Sequence, residues 1–297
     1  MKAFITGITG QDGSYLAEHL LAEGWRVTGL VRGQDNPKVA WLRSLVPTAG
    51  ERLRLINGDL TDDSSLRAAL FGSEPDVIFN LGAISSPGMA WGQPVHTAEV
   101  TGLGALRLLQ ATLAVAPRAH FVQAATIAHH GPYGAAKLFA QTCVADFRER
   151  GMHASCAVFG GHHSPRRGLS FFSRKVTKAV AGIADGRLEK LPLGSLQRRQ
   201  DWGWAEDFVT VLPRLACDLA PGDYVMSTGH PHSVERWVQL AFAHVDLDWR
   251  DYVTIDPLLG NVTDVPVLSA APSSALNWVP RQDLTGLIAT MVDADRV

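Results

Sequence analysis

A tyrosine and a lysine four residues apart, Tyr133 and Lys137, stand in the run Gly131-Pro132-Tyr133-Gly134-Ala135-Ala136-Lys137. At helical spacing the two side chains share one face. An ammonium held beside a phenol lowers the phenol pKa, so Tyr133 can take a proton from an alcohol or return one to a carbonyl. Upstream, the Thr126 hydroxyl is placed to hydrogen-bond the same substrate oxygen. His129 and His130 lie between that threonine and the tyrosine, and because imidazole titrates near neutrality both are candidate acid/base groups. A Tyr-x-x-x-Lys pair also arises in ordinary helix packing, so its meaning depends on what precedes it.

Moving a proton off a carbinol is useful only if a hydride acceptor lies close by, and the N-terminal segment supplies the place for one. Lys2 to Thr6 reads as a buried strand that runs into Gly7-Ile8-Thr9-Gly10-Gln11-Asp12-Gly13, and Ser14 to Glu23 then has helical apolar spacing. Gly7 permits the tight turn, Gly10 lets the backbone approach a pyrophosphate, and Gly13 lets the helix pack closely on the sheet. The helix N-terminus offers N–H groups to the anion. Gly24 stops the helix and Trp25 to Val31 is a second strand, which completes a βαβ dinucleotide unit with Thr9, Gln11 and Asp12 at its turn. An NAD-specific site usually carries Asp or Glu after that strand. This chain has Arg32, which favours NADP, with NAD as the alternative; Tyr133 and Lys137 are candidate contacts to the same cofactor, with the ammonium expected close to the nicotinamide ribose. Leu53 to Asn57 reads as a third strand leading to Asp59 and Leu60, a carboxylate suited to an adenine amino group. Val77 to Leu81 is a fourth, after which Gly82 and Ala83 let a cofactor lie against the strand end; Ser85 just beyond is a candidate substrate contact.

The elements that must position these groups alternate. Asp63 to Phe71 and Thr101 to Ala116 have helical spacing, and Ala119 to Ala125 is a fifth strand directly before Thr126. The expected fold class is therefore α/β, a Rossmann-type doubly wound parallel sheet, with a smaller C-terminal substrate-binding lobe. The expected boundary falls near residue 160, giving a nucleotide-binding domain over 1–160 and an interleaved lobe over 161–297. The 46% hydrophobic and 19% charged composition, with a formal net charge of -2, is that of an ordinary globular protein and argues against nucleic acid as a partner. Three cysteines without disulfide-like spacing point to a reducing compartment. No apolar run approaches a membrane span and the chain opens directly on a strand, so a cytoplasmic location is expected and a membrane association is not.

With these motifs in place the chain resembles the GDP-mannose 4,6-dehydratases, in the nucleotide-sugar branch of the extended short-chain dehydrogenases. The likeness rests on Gly7 through Glu18, Gly58-Asp59-Leu60-Thr61-Asp62, Asn80-Leu81-Gly82-Ala83, Pro132 to Lys137, Ser164-Pro165-Arg166-Arg167-Gly168, Asp201-Trp202-Gly203, His232-Ser233-Val234 and Leu276-Asn277-Trp278. It implies tightly held NADP, a substrate lobe, and chemistry that starts with hydride abstraction from a sugar C4 hydroxyl and ends with hydride return. It also implies a homo-oligomer, dimer or tetramer.

The departures carry equal weight. Where the family has a glutamate two residues after its threonine, this chain has Ala128, which moves no proton. The long loop before the tyrosine is reduced to His129, His130, Gly131 and Pro132. The family's asparagine before Ser-Pro-Arg-Arg-Gly, its arginine before Asp-Trp and a C-terminal arginine read here as Gly161, Gln200 and Asn261, with Arg199 beside Gln200 as the one guanidinium that would stand in. Losing bidentate phosphate contacts suggests a substrate with fewer phosphates, such as a nucleoside or nucleoside monophosphate.

In the second lobe His162 and His163 follow a strand near Ala154 to Phe159 and, like His129 and His130, are expected on the substrate side of the sheet. Adjacent histidines point apart and no Cys, Asp or Glu completes a zinc set, so no metal is expected. Arg166, Arg174 and Arg199 are candidate phosphate contacts and Trp202 a candidate stacking ring. Thr126, Tyr133 and Lys137 with NADP suffice to remove a hydride and a proton from a carbinol and put them back, which on the opposite face is epimerisation. A dehydratase with His129 or His130 replacing the missing glutamate is the alternative. A non-catalytic NADP-binding sensor is the alternative of another class.

Overall fold

The computed structural model describes residues 1–260 and 269–296. Among the described residues the main sheet has seven strands: β1 (Lys2–Thr6), β2 (Arg26–Val31), β3 (Leu53–Asn57), β4 (Val77–Asn80), β5 (His120–Thr126), β6 (Ala154–Phe159) and an edge strand, Asp223–Met226. The order is Asp223–Met226, β6, β5, β4, β1, β2, β3, and the pairs from β3 to β6 are all parallel. This is the doubly wound Rossmann arrangement. Strand order reverses between β1 and β4, and ligands of such sheets lie off the carboxyl ends at that point.

The strands form because their residues are apolar without alternation: every residue of β4 and β6 is buried, as a parallel sheet covered on both faces requires. Phe4, Leu66, Leu70, Ile78, Leu108 and Phe121 fill the core between the sheet and its flanking helices. The first helix, α1 (Gln11–Ala22), begins at Gly10, and Asp62 caps the helix Asp63–Ser73 by accepting the Ser64 N–H. The stretch Thr101 to Ala116, expected as one helix, starts instead inside a π-helical segment, Ala98–Leu103, and continues as a regular helix, Gly104–Val115. The glycines explain the tight seat: a Cβ on Gly104 would stand 2.9 Å from Leu60 Cβ.

The chain divides into two compact units. One contains Met1–Phe159 and Phe208–Val225, the other Gly160–Asp207 and the residues from Met226 onward. In the second, the helix Phe172–Ala184 packs on the helix Leu284–Arg296 and on the helix Val234–Ala243. A short strand in the same unit, Leu191–Leu193, pairs in parallel with Val253–Ile255. No described helix is long and apolar enough to cross a membrane, and no cluster of potential metal ligands occurs among the described residues.

Candidate active site

The glycine turn after β1 is built by backbone contacts that exclude side chains. Gly7 has φ +68°, and a Cβ there would lie 2.8 Å from the Gly82 nitrogen; a Cβ on Gly13 would lie 2.3 Å from the Gly7 carbonyl oxygen. The turn, the start of α1 and the Leu81-Gly82 segment after β4 are thereby pressed together. Gly10 has no side chain to cap α1, and a Cβ on it would meet only the Gly7 carbonyl oxygen within 4 Å. A helix N-terminus that starts on a glycine and has no side-chain cap fits the pyrophosphate of a dinucleotide. Thr9, Gln11 and Asp12 line this turn, where Gln11 Nε2 donates to Asp12 Oδ1 at 2.9 Å. Arg32 is exposed immediately after β2. Asp59 is half-buried and its Oδ1 accepts the Thr61 N–H and hydroxyl, each at 2.8 Å; Leu60 is buried beneath it, while Leu81 and Ala83 are half-buried and Ser85 is exposed.

Thr126 is the last residue of β5, and the helix Gly131–Glu149 carries Tyr133 and Lys137. The Thr126 hydroxyl accepts the Ala128 N–H at 3.1 Å, which leaves its own proton to donate. Lys137 is 4% exposed, and its Nζ donates to the Ala124 carbonyl at 2.6 Å. Burial pulls its pKa down to about 8, with the Asp12 carboxylate acting in the opposite direction.

The short connection between Thr126 and Tyr133 is tightly seated. Gly131 takes φ +70° with the Trp91 ring 3.2 Å from where a Cβ would stand, and a Cβ on Gly134 would lie 2.4 Å from the His129 carbonyl carbon. His129 and His130 are both exposed on this turn and Ala128 is half-buried. Trp91 and Gly134 were not singled out by sequence reasoning, because nothing in their local pattern marks a helix start pressed against a turn.

The second unit puts several expected substrate residues to other uses. Arg174 was expected to hold phosphate; its guanidinium pairs instead with the buried Asp295 at 2.7 Å and donates to the Pro165 carbonyl. Asp295 also accepts the Thr177 hydroxyl at 2.7 Å. A charge so paired in the interior is not available to a ligand without breaking the pair. Trp202 was expected to stack on a base or sugar; it is 3% exposed, its ring centroid lies 4.4 Å from that of Trp237, and its Nε1 donates to the His232 carbonyl at 3.1 Å. Its indole is a core ring of an aromatic cluster that includes Phe172 and His163. His162 and His163, expected on the substrate side, are buried in a two-residue strand paired with Gly203–Trp204. His163 Nδ1 is 2.9 Å from Ser173 Oγ, and burial, reinforced by the Arg167 charge, pushes its pKa well below the usual histidine range, so the ring is neutral. Arg166 is half-buried and Arg199 exposed, with Arg199 Nη2 donating to the Pro231 carbonyl at 2.8 Å.

Of the three positions expected to have lost diphosphate contacts, one is closed by the backbone itself. A Cβ on Gly161 would lie 2.2 Å from the Asp201 carbonyl oxygen, so no asparagine fits this backbone. Gln200 is engaged by Arg198, whose Nη2 donates to Gln200 Oε1 at 2.5 Å. Asn261 lies outside the described residues.

Residues 3–226 match the NAD dependent epimerase/dehydratase family, and the chain belongs to it. The protein is 35% identical over 326 aligned positions to GDP-mannose 4,6 dehydratase 1 of Arabidopsis thaliana, across 99% of this chain and 89% of that protein. It is likewise 35% identical over 337 positions to GDP-mannose 4,6 dehydratase of Homo sapiens, across 99% of this chain and 91% of that one. Both alignments exceed the 297 residues present here, so these relatives carry insertions that this chain lacks. Among solved structures, the UDP-glucose 4-epimerase of Thermus thermophilus in complex with NAD has the same fold, with a TM-score of 0.84 at 21% identity over 100% of this chain and 99% of that one.

Proposed function

We propose that this protein is an NADP-dependent enzyme that transiently oxidises a sugar hydroxyl of a nucleotide-sugar or nucleoside-type substrate and returns the hydride, acting as an epimerase. The observation that carries this reading is the retention of Thr126, Tyr133 and Lys137 around an alanine, Ala128, where the dehydratases it resembles use a glutamate. A dinucleotide bound on the Gly7–Gly13 turn supplies the hydride acceptor and donor. Tyr133 takes the hydroxyl proton as the carbinol is oxidised and gives it back as the ketone is reduced. Thr126 donates its remaining proton to the same oxygen, and the Lys137 ammonium stabilises the phenolate. None of these steps needs a group that abstracts a carbon-bound proton, so Ala128 does not impair them. The family description names NAD, but the exposed Arg32 where an NAD site carries an acid supports NADP, its guanidinium meeting the additional phosphate.

A dehydratase is the second reading. It is favoured by the 35% identity to dehydratases over nearly the whole chain and by the exposure of His129 and His130 between Thr126 and Tyr133, either of which could replace the glutamate. A homo-oligomer in the cytoplasm is proposed on the same likeness.

For the substrate, the closed backbone at Gly161 and the Arg198-bound Gln200 favour a ligand with fewer phosphates than a nucleotide-diphosphate sugar; Arg166 and Arg199 are the guanidinium groups assigned to it. In calorimetric titration of the NADP-bound protein, nucleosides and nucleoside monophosphates are expected to bind at least about tenfold more tightly than GDP- or UDP-sugars, a difference of roughly 1.4 kcal/mol. Tight binding of the diphosphate sugars with none of the phosphate-poor compounds would remove this substrate assignment.

A further inference from the structure

A line of buried polar side chains runs from the carboxyl ends of β1 and β4 to the middle of β5 and ends on the carbonyl that holds Lys137. Thr6, Asn80 and Gln123 are direct neighbours in the sheet register, Thr6 opposite Asn80 and Asn80 opposite Gln123. Each is 1% exposed, in strands whose other residues are mostly apolar. Thr6 Oγ1 donates to Asn80 Oδ1 at 2.6 Å, Asn80 Nδ2 donates to Gln123 Oε1 at 2.7 Å, and Gln123 Nε2 donates to the Ala124 carbonyl at 2.9 Å. That same carbonyl accepts Lys137 Nζ. At the other end, Thr6 Oγ1 accepts the Gly82 N–H at 2.9 Å, and Gly82 is the residue packed against the Gly7 turn.

The chain has a single sense. With the Thr6 proton on Asn80 Oδ1, the Asn80 amide must present its NH2 to Gln123, whose Oε1 accepts and whose NH2 is left for Ala124. Apolar side chains would fill these sheet positions without the cost of burying two amides and a hydroxyl, so the hydrogen bonds must fix something that packing alone does not. What they reach is the carbonyl of Ala124, which has two lone pairs, one occupied by Gln123 and one by the ammonium.

We propose that Gln123 is a positioning residue for the Tyr133–Lys137 pair: by occupying one lone pair of the Ala124 carbonyl and fixing its direction, it sets where the Lys137 ammonium stands, with Asn80 and Thr6 holding Gln123 in turn. The proposal rests on the reading of Tyr133 and Lys137 as the proton-handling pair. Without the Gln123 donor the carbonyl is free to turn fully onto Lys137 and draws the ammonium toward the strand end, away from the phenol. The line also ties the turn assigned to the cofactor to the lysine through side chains that are themselves buried in the sheet.

Ultraviolet titration of the Tyr133 phenol tests this without knowledge of the substrate, with Tyr133→Phe as the baseline that removes the other tyrosines from the signal. Wild-type Tyr133 is expected to ionise below the ordinary tyrosine value of about 10. Gln123→Met, close in volume and without the amide, is expected to raise that midpoint by about 0.5 unit or more while NADP binding stays within about twofold, the ~0.5 unit corresponding to a roughly threefold change in the ionisation constant. A folded Gln123→Met protein with lower stability and an unchanged Tyr133 midpoint would overturn the positioning role. If Gln123→Met does not fold, Thr6→Val decides: a smaller upward shift that is absent in Thr6→Ser supports the line, and an unmoved midpoint in Thr6→Val overturns it. A wild-type Tyr133 that ionises at about 10 removes the proton-handling pair itself, whereas a depressed wild-type midpoint that Gln123→Met leaves in place removes only the role of Gln123.

Discussion

Tyr133→Phe is expected to lower turnover by about 10³-fold, within the range that removal of a positioned general acid/base produces. NADP affinity should stay within about twofold, since the phenol oxygen is one contact among the many assigned to the dinucleotide, whereas it alone moves the proton. The substitution removes one oxygen from a half-buried position and leaves the helix Gly131–Glu149 with its packing. Steady-state turnover with fluorescence titration of NADPH separates the two effects. A variant that turns over as fast as wild type would take the proton away from Tyr133, and wild-type protein that binds NADPH but converts no candidate substrate would move the account toward the non-catalytic sensor.

The second large effect concerns Lys137, whose burial is costly. Its pKa in the fold is about 8 against 10.5 for the free side chain. A lysine with a depressed pKa in the fold destabilises most where it is charged in both states, below about 8, and the penalty fades as pH rises toward 10.5, above which both states are neutral. The full difference corresponds to roughly 3 kcal/mol. Lys137→Met is therefore expected to stabilise the protein at pH 7 by about 1 to 3 kcal/mol, once the lost bond to the Ala124 carbonyl is set against the relieved burial. The carbonyl is not orphaned in this variant, because Gln123 still donates to it. Turnover should fall at least as far as in Tyr133→Phe. Urea unfolding at pH 7 and at pH 10 checks the sign: the gain must be larger at pH 7. A variant less stable than wild type at pH 7 would mean that the ammonium is well accommodated where it sits.

Such a trade, in which stability is given up at a residue the chemistry needs, is typical of functional sites. It also marks the difference between what could be read from the sequence and what could not. The glycine turn, the parallel strands and the helix bearing Tyr133 and Lys137 were legible, because each follows from a local rule: a glycine where no Cβ fits, an unbroken apolar run for a doubly covered strand, a four-residue spacing for a shared helix face. The roles of Arg174 and Trp202 were not. Both were read from residue type, as phosphate ligand and stacking platform, and their partners come from far along the chain, Asp295 for Arg174 and Trp237 for Trp202. No local pattern announces that pairing. His162 and His163 were placed after the correct strand, but burial in a small parallel pairing with Gly203–Trp204 was not predictable from a strand only two residues long.

Gln123 is an instructive intermediate. A polar residue inside the buried run His120–Thr126 is a visible anomaly in sequence, as is Asn80 at the end of Val77–Asn80. What was missing was the register that sets them side by side, and with it the route to Lys137. Ala128, proposed to stand where the dehydratases have a glutamate, and the closed backbone at Gly161 also differ in kind. The first is a change of side chain that the sequence states outright. The second becomes a constraint only when the Asp201 carbonyl is seen to occupy the space a side chain would need.

The proposed epimerase removes hydride from a sugar carbinol and returns it to the same carbon without loss of water. Mass spectrometry of products formed in deuterated water, with catalytic NADP and a panel of nucleosides, nucleoside monophosphates and GDP- and UDP-sugars, tests it most directly. An epimeric product of the same mass as its substrate is expected, with no carbon-bound deuterium and no net consumption of cofactor. A product lighter by one water, with deuterium taken up at carbon, would contradict it and transfer the missing acid/base role to His129 or His130.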